Sequence, residues 1–411
     1  MSEQVCHAME LKCAIQTYDW GKRGIDSTIT TLIKSANPDI VPDEQKPYAE
    51  LWIGTHPNGP SYLKGTDTSL EDYIKENSHM LGAEVEKTFG KQLPFLFKVL
   101  SVNKALSVQA HPNKEKAKEL HEQYPNIYKD ANHKPELAIA LTPFEALCGF
   151  RPMEEIKWYL KNLPELRAVI GIDKVFDFKK TDESNSKQTL KTWFHSLMTC
   201  DPGVIALQLR SLIETLPTYS EATRQSLHAS LLERLHSDYP GDVGCFCIYF
   251  LNFITMQPGE AIYLGPNEPH AYLSGDCVEC MACSDNVVRA GLTPKLKDVP
   301  TLIEMLTYIS EPISAKRFQP LREDECTELY RPPIPEFAVA KITISPGRPM
   351  YKIIPRSTAS VLIIINGKGE IAPSRILDRG SVLFIPANEK VDIKVLCGCH
   401  PMLMFHAFTN V

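Results

Sequence analysis

The sequence predicts a mainly β protein, built as two jelly-roll barrels and interrupted by an α-helical insertion. Three observations carry this. Short apolar segments recur within residues 94–150 and over most of the chain after 245, as strands do. Between Met153 and His236 the apolar period changes to that of a helix. A ten-residue pattern beginning at Gly259 returns at Gly380.

Taken in chain order, Phe95 to Leu100 and Leu137 to Leu141 read as strands flanking a polar stretch from Asn113 to Asp130. That stretch predicts a helix, because His111-Pro112-Asn113 supplies a proline and a side-chain acceptor at its start. Glu115, Lys116, Lys118, Glu119 and Glu122 then form a solvated face around Ala117 and Leu120. Leu209, Leu212, Ile213 and Leu216 follow the i, i+3, i+4, i+7 rule. Pro217 and Ser220 break it before Leu227, Leu231, Leu232 and Leu235 restart it, and the polar segment Lys179 to Lys187 reads as an exposed loop.

Strand character is expected again at Cys245 to Thr255, and Gln257-Pro258-Gly259-Glu260 turns into a strand at Ala261 to Leu264. Leu302, Ile303, Met305 and Leu306 mark a short amphipathic piece. Arg331 to Pro335 reads as a linker or sheet edge, with strands at Phe337 to Ile344 and Val361 to Ile365 beyond it. In the repeat, Gly259-Glu-Ala-Ile-Tyr-Leu-Gly-Pro266-Asn267-Glu268 resembles Gly380-Ser-Val-Leu-Phe-Ile-Pro386-Ala-Asn388-Glu389, the turn, strand and proline pattern of cupin-type barrels. The first copy runs on to Pro269-His270, whereas the second has Lys390 near the equivalent place, so only the first keeps a metal-ligand candidate. The expected division is 1–151 with 241–310 as one discontinuous domain, 152–240 as the helical domain and 311–411 as the second barrel.

Composition narrows the function classes. With 43% hydrophobic and 23% charged residues, the 411-residue chain has the apolar content of two or three globular domains. Lys+Arg 44 against Asp+Glu 50 gives a net charge of −6 with no long run of one sign, which argues against nucleic acid or an anionic membrane as the main partner. No apolar run approaches the ~18 residues a membrane helix needs. The first residues lack a signal-peptide pattern and the 12 cysteines are scattered, so reduced thiols and a cytoplasmic setting are expected.

In Leu106-Ser107-Val108-Gln109-Ala110-His111-Pro112, strand alternation sends Ser107, Gln109 and His111 to one face. Asn132-His133-Lys134-Pro135-Glu136 offers a carboxylate and a lysine, and His270 closes a set of two imidazoles and two oxygen donors: Gln109, His111, Glu136 and His270. That set suits Zn²⁺ with room for water or a hydroxyl. From spacing alone, a satisfied polar face is the commoner outcome.

Resemblance tips the balance. Leu106 to Pro112, Asn132 to Glu136, Cys148-Gly149-Phe150-Arg151-Pro152 and Asn267 to Pro294 resemble the type I phosphomannose isomerases. So do Tyr18-Asp19-Trp20-Gly21-Lys22 and Ala49 to Pro57, so that the similarity spans the chain apart from the insertion and parts of the last domain. The resemblance implies a zinc enzyme, one ion per chain, interconverting mannose 6-phosphate and fructose 6-phosphate through a cis-enediol and feeding mannose into GDP-mannose synthesis and protein glycosylation. Its ligands fall on the four residues named above, its partner is the small sugar phosphate, and a monomer is expected.

For the proton transfer the resemblance offers Lys134 as base, with Glu279, Asp285 and His133 as other acid/base candidates. Arg289 matches an active-site arginine that holds either phosphate or enediolate. Ser107, Lys98, Lys295 and Tyr272 are expected to contact substrate. Two features are set aside. The run Cys277, Cys280, Cys283 has no fourth thiolate for an iron–sulfur cluster. Trp20 and Trp52, with Glu50, suit a core at least as well as a sugar pocket. Two rivals remain, a metal-free sugar-phosphate sensor and an iron oxygenase, but Gln109 as a fourth donor suits a non-redox ion better.

Overall fold

A computed structural model describes residues 6–171, 185–396 and 400–411. An 11-stranded antiparallel sheet occupies its first part. The main path runs Arg317–Phe318, Ala261–Leu264, Glu136–Ala140, His270–Ala282, Phe95–Val102, Glu50–Ile53, Ala14–Gln16. Off it, Phe144–Phe150 lies between Leu251–Met256 and the start of His270–Ala282. Val108–Ala110 joins His270 to the strand Val288–Gly291.

The long strand His270–Ala282 therefore changes partners along its length. Its first residues pair with Phe144–Phe150, and from Gly275 onward it pairs with Phe95–Val102 and Glu136–Ala140. Gly275 makes the change possible: its φ is +104°, and a Cβ there would lie 2.4 Å from the carbonyl oxygen of Pro143.

Strand parity divides this sheet into two functional faces. Leu51, Ile53, Phe97, Val99, Leu137, Ile139, Val278 and Cys280 point outward into an apolar layer shared with Tyr330, Phe337, Val339, Val361, Ile363, Phe384 and Phe405. Their neighbours of opposite parity, Glu50, Trp52, Lys98, Glu136 and Glu279, are buried on the inner face. One face thus anchors the fold while the other collects polar groups.

The second sheet has eight strands in the order Leu321–Arg322, Thr327–Tyr330, Ala338–Ile344, Met402–Phe408, Ser360–Asn366, Val382–Ile385, Met9–Lys12, Tyr62–Leu63. A four-stranded sheet covers its far face, packing Tyr351, Ile371, Leu377 and Ile393 against Ile342, Leu362, Ile364 and Met404. Met9–Lys12 pairs with both Val382–Ile385 and Tyr62–Leu63, so the N-terminal chain completes the C-terminal sheet. The repeat survives in backbone form: Gly259 and Gly380 have φ of +89° and +86°, and Asn267 and Asn388 are both left-handed at +62°.

Helices Met153–Asn162, Pro164–Ile170, Ser186–Thr199, Pro202–Thr215, Glu221–Ser226 and Ala229–Asp238 form the insertion. Leu209, Leu212, Leu227, Leu231, Leu232 and Leu235 share one core with Val108 and Ala110, so the insertion packs on the back of the strand that carries Gln109. The expected loop at 179–187 lies largely outside the described residues, and Ser186 and Lys187 begin a helix. The helix expected over 113–130 is Lys114–Gln123, with Asn113 as its N-cap accepting from Lys116 N.

Strand character at Cys245 to Thr255 holds only from Leu251. Gly244–Cys247 is a short helix, and Cys245 to Leu251 are all fully buried. A uniformly apolar run has no alternation to separate the two states. Among the described residues, no helix is long and apolar enough to cross a membrane.

Candidate active site and metal centre

The four expected metal ligands converge although the register of one long strand sets two of them far apart along it. His270 stands opposite Gln109 across neighbouring strands, and Glu136 opposite Met281 at the other end of His270–Ala282. His111 Nε2 lies 3.3 Å from Glu136 Oε1, His270 Nε2 lies 3.4 Å from Glu136 Oε2, and the Gln109 amide is 3.5 Å from His111 Nε2. His111, Glu136 and His270 are the one His/Cys/carboxylate group of metal-binding geometry among the described residues, with ligand atoms within 4.8 Å of one another.

The donor set fits a zinc ion. His111 Nδ1 donates to Asn286 O at 2.6 Å and His270 Nδ1 donates to Glu268 O at 2.9 Å, which turns both Nε2 lone pairs toward Glu136. His270 Nε2 is buried without a hydrogen-bond partner. Burial holds His111 well below the usual imidazole range, at about 4. Although burial alone would raise Glu136, His111, His270 and Lys134 outweigh it and keep the carboxylate ionised. Two imidazoles, a carboxylate and an amide are what a tetrahedral or slightly expanded Zn²⁺ site needs.

Beside this centre opens a cavity of about 580 Å³. Gln109 joins it to the metal ligands. Ser107, Arg289, Thr293 and Lys295 line it together with Tyr18, Trp20, Glu50, Lys104 and Tyr239. Arg289 is paired across the strands with Gln109, and its only perturbation is burial, which lowers its pKa; no carboxylate neutralises it among the described residues. Ser107 Oγ donates to Gln109 Oε1 at 2.9 Å.

Other expected site residues sit elsewhere. Lys98, expected beside the phosphate, lies beneath the site. Its ammonium is 3.0 Å from Glu279 and 3.6 Å from Glu50, and 5.2 Å from the Trp52 ring centre. Burial would lower its pKa, but the two carboxylates raise it, so it is a fixed counter-charge rather than a free anion ligand. Tyr272 is buried behind the ligands, its hydroxyl 3.5 Å from Glu136 Oε2, and does not line the cavity. Glu279 is closed off by Lys98, and burial raises its pKa.

Lys134 is 3.6 Å from Glu136. Asp285 is part-exposed, 3.2 Å from His56 Nε2 and within reach of Asn58 Nδ2, and the His56 bond pulls its pKa down. His133 is turned away, bonded to Glu336 at 2.8 Å.

Sequence reasoning missed several supporting residues. Asn267 accepts the backbone N–H of Asn113 and gives its own to His111 O; Asn286 Nδ2 ties down Asp130 and Asn132. Their signal was present, since both lie inside the quoted motifs. Lys104 and Tyr239 carried none. The cysteine run is not a cluster: Cys280 faces the outer apolar layer and Cys277 the inner face, and burial raises both thiols.

The chain matches the sequence profiles of phosphomannose isomerase type I over its catalytic domain at residues 8–153, its helical insertion domain at 169–251 and its C-terminal part at 327–375. Mannose-6-phosphate isomerase of Homo sapiens is 47% identical over 400 residues, covering 94% of this chain and 95% of that one. The Bos taurus protein of the same name is 46% identical over 412 residues, covering 97% of each. A crystal structure of mannose 6-phosphate isomerase bound with zinc and yttrium superposes with a TM-score of 0.84 at 30% identity, covering 98% of this chain and all of that one.

Proposed function

The chain belongs to the type I phosphomannose isomerases, and from that premise we propose that it interconverts mannose 6-phosphate and fructose 6-phosphate at the cavity beside Gln109, with zinc held by Gln109, His111, Glu136 and His270. The observation that carries this reading is the buried His111–Glu136–His270 triangle, with its unpartnered Nε2, joined through Gln109 to a cavity lined by Arg289 and Lys295.

The reaction moves a proton between C1 and C2 of the open-chain sugar and shifts two oxygens between carbonyl and hydroxyl. When bound, zinc supplies Lewis acidity toward those oxygens. Arg289, partly desolvated and without a carboxylate partner among the described residues, is the cation available to an enediolate or to phosphate. Lys295, Ser107 and Lys104, all lining the cavity, suit the phosphoryl group.

Of the proton-transfer candidates, His133 is engaged by Glu336 and Glu279 by Lys98. Asp285 and Lys134 are left. Asp285, held ionised by His56, and Lys134, 3.6 Å from the ligand Glu136, are the groups assigned to the proton transfer between C1 and C2. A cis-enediol follows.

Turnover in deuterium oxide tests the chemistry. Fructose 6-phosphate carrying solvent deuterium at C1 is expected in part of the product. Complete retention of the substrate C2 hydrogen throughout would point to a hydride shift and contradict the enediol. A chain that binds mannose 6-phosphate without converting it would be a sensor.

A further inference from the structure

The insertion returns to the sheet through a tight corner, Tyr239-Pro240-Gly241-Asp242, tied internally by Asp242 N to Tyr239 O at 3.1 Å. Both ends of this corner grip a wall of the cavity. The Tyr239 hydroxyl donates to Ala105 O at 2.6 Å, two residues before Ser107, and its ring lies 4.3 Å beneath the ammonium of Lys104. Asp242 grips the chain that follows the strand Val288–Gly291. Its Oδ1 accepts from Leu292 N and from Gly244 N, both at 2.6 Å, and its Oδ2 lies 3.4 Å from Thr293 N and 3.9 Å from Lys297 Nζ.

The backbone that Asp242 holds is a demanding one. Leu292 has φ of +51°, a left-handed conformation that a leucine rarely adopts without support. Just before it, a Cβ on Gly291 would lie 2.5 Å from the Gly244 backbone, so the corner and the strand end touch without side chains between them. Just after it, Thr293 Oγ1 accepts from Lys295 N at 3.1 Å and so passes the turn on to Lys295. Arg289, three residues before Leu292, is fixed on the other side by its pairing with Gln109.

We propose that the Tyr239–Asp242 corner is the positioning device for the phosphate end of the cavity, with Asp242 setting the turn that aims Thr293 and Lys295 and Tyr239 holding the segment that leads to Ser107. Neither residue touches the reacting carbons. The inference rests on the reading of this wall as the phosphate end, so the test includes Lys295.

The measurement is KM and kcat for mannose 6-phosphate on full-length, zinc-loaded enzyme carrying Asp242→Ala, Asp242→Asn, Tyr239→Phe or Lys295→Ala, with zinc content and Tm beside them. Asp242→Ala is expected to raise KM by about 10-fold, with kcat within about 3-fold and zinc unchanged. Asp242→Asn, which keeps an acceptor oxygen, falls between wild type and alanine. Tyr239→Phe, which loses only a hydroxyl and keeps the fold measurable should the alanine variant fail, raises KM in the same direction. Combined with Lys295→Ala, the Asp242→Ala effect on KM shrinks to less than about 3-fold, since the turn no longer has its lysine to aim.

A KM at the wild-type value in Asp242→Ala, or in Tyr239→Phe where the alanine variant does not fold, overturns the inference while leaving the function intact. So does a loss confined to kcat or to zinc. A wild-type KM in Lys295→Ala removes the phosphate end itself, and the inference with it.

Discussion

Glu336 Oε1 accepts from His133 Nε2 at 2.8 Å and from Lys114 Nζ at 2.9 Å, with the carboxylate almost wholly buried. Glu336 precedes the strand Ala338–Ile344 of the second sheet, whereas His133 stands three residues before the ligand Glu136 and Lys114 three after the ligand His111. One carboxylate from the C-terminal part thus ties down both ligand-bearing segments, a physical reason for keeping a barrel that has no metal group of its own among the described residues.

Glu336 gives the first expectation. Burial would raise its pKa, but the bonds from His133 and Lys114 outweigh it and hold the group at about 2. A carboxyl depressed below its unfolded value contributes stability above the unfolded pKa of about 4.5 and loses it as pH falls toward 2. Glu336→Gln should therefore lower stability at pH 7 by about 1–3 kcal/mol, with the difference closing as pH falls below about 4. Thermal melts of both proteins across that range check it.

His406 sets the acid side differently. Buried between Ser360 and the Arg356 charge, it is held at about 3 by burial first and Arg356 second. The unfolded chain takes up a proton below about 6.5 and the folded one does not, so stability present above 6.5 drains away as pH falls toward 3. His406→Gln should flatten the Tm between pH 7 and pH 5, recovering an amount on the order of 2 kcal/mol at pH 5.

Lys98 separates two roles. As the buried counter-charge of Glu279 and Glu50, its loss leaves uncompensated carboxylates, and Lys98→Met should cost about 3–5 kcal/mol of stability and lower kcat. KM should move less than about 3-fold. A large rise in KM with an unchanged Tm would restore it as a phosphate ligand.

Arg289→Ala distinguishes enediolate from phosphate. Its position opposite Gln109, next to the metal ligands, predicts that kcat falls by about 100-fold or more while KM changes little. Steady-state kinetics decide between them.

Legibility of the sequence followed physical range. Strand parity and turn chemistry are local, so the shared face of Gln109 and His111 and the paired patterns at Gly259 and Gly380 could be read directly, whereas a metal role for that face rested on resemblance. Contacts made across the fold were not. Nothing near Lys98 announces that Glu279, 181 residues later, will neutralise it, and nothing near Met9 announces that it pairs with Phe384. Cys245 to Leu251 were ambiguous for another reason: when every side chain is buried, periodicity carries no information.

The most direct test is elemental zinc analysis beside coupled turnover of mannose 6-phosphate, on the wild-type chain and on His270→Ala. Near one zinc per chain with conversion that falls on chelation and returns with Zn²⁺, and loss of both metal and turnover in His270→Ala, is the expected result. Full turnover from verified metal-free protein, or one zinc per chain retained in His270→Ala, would contradict it.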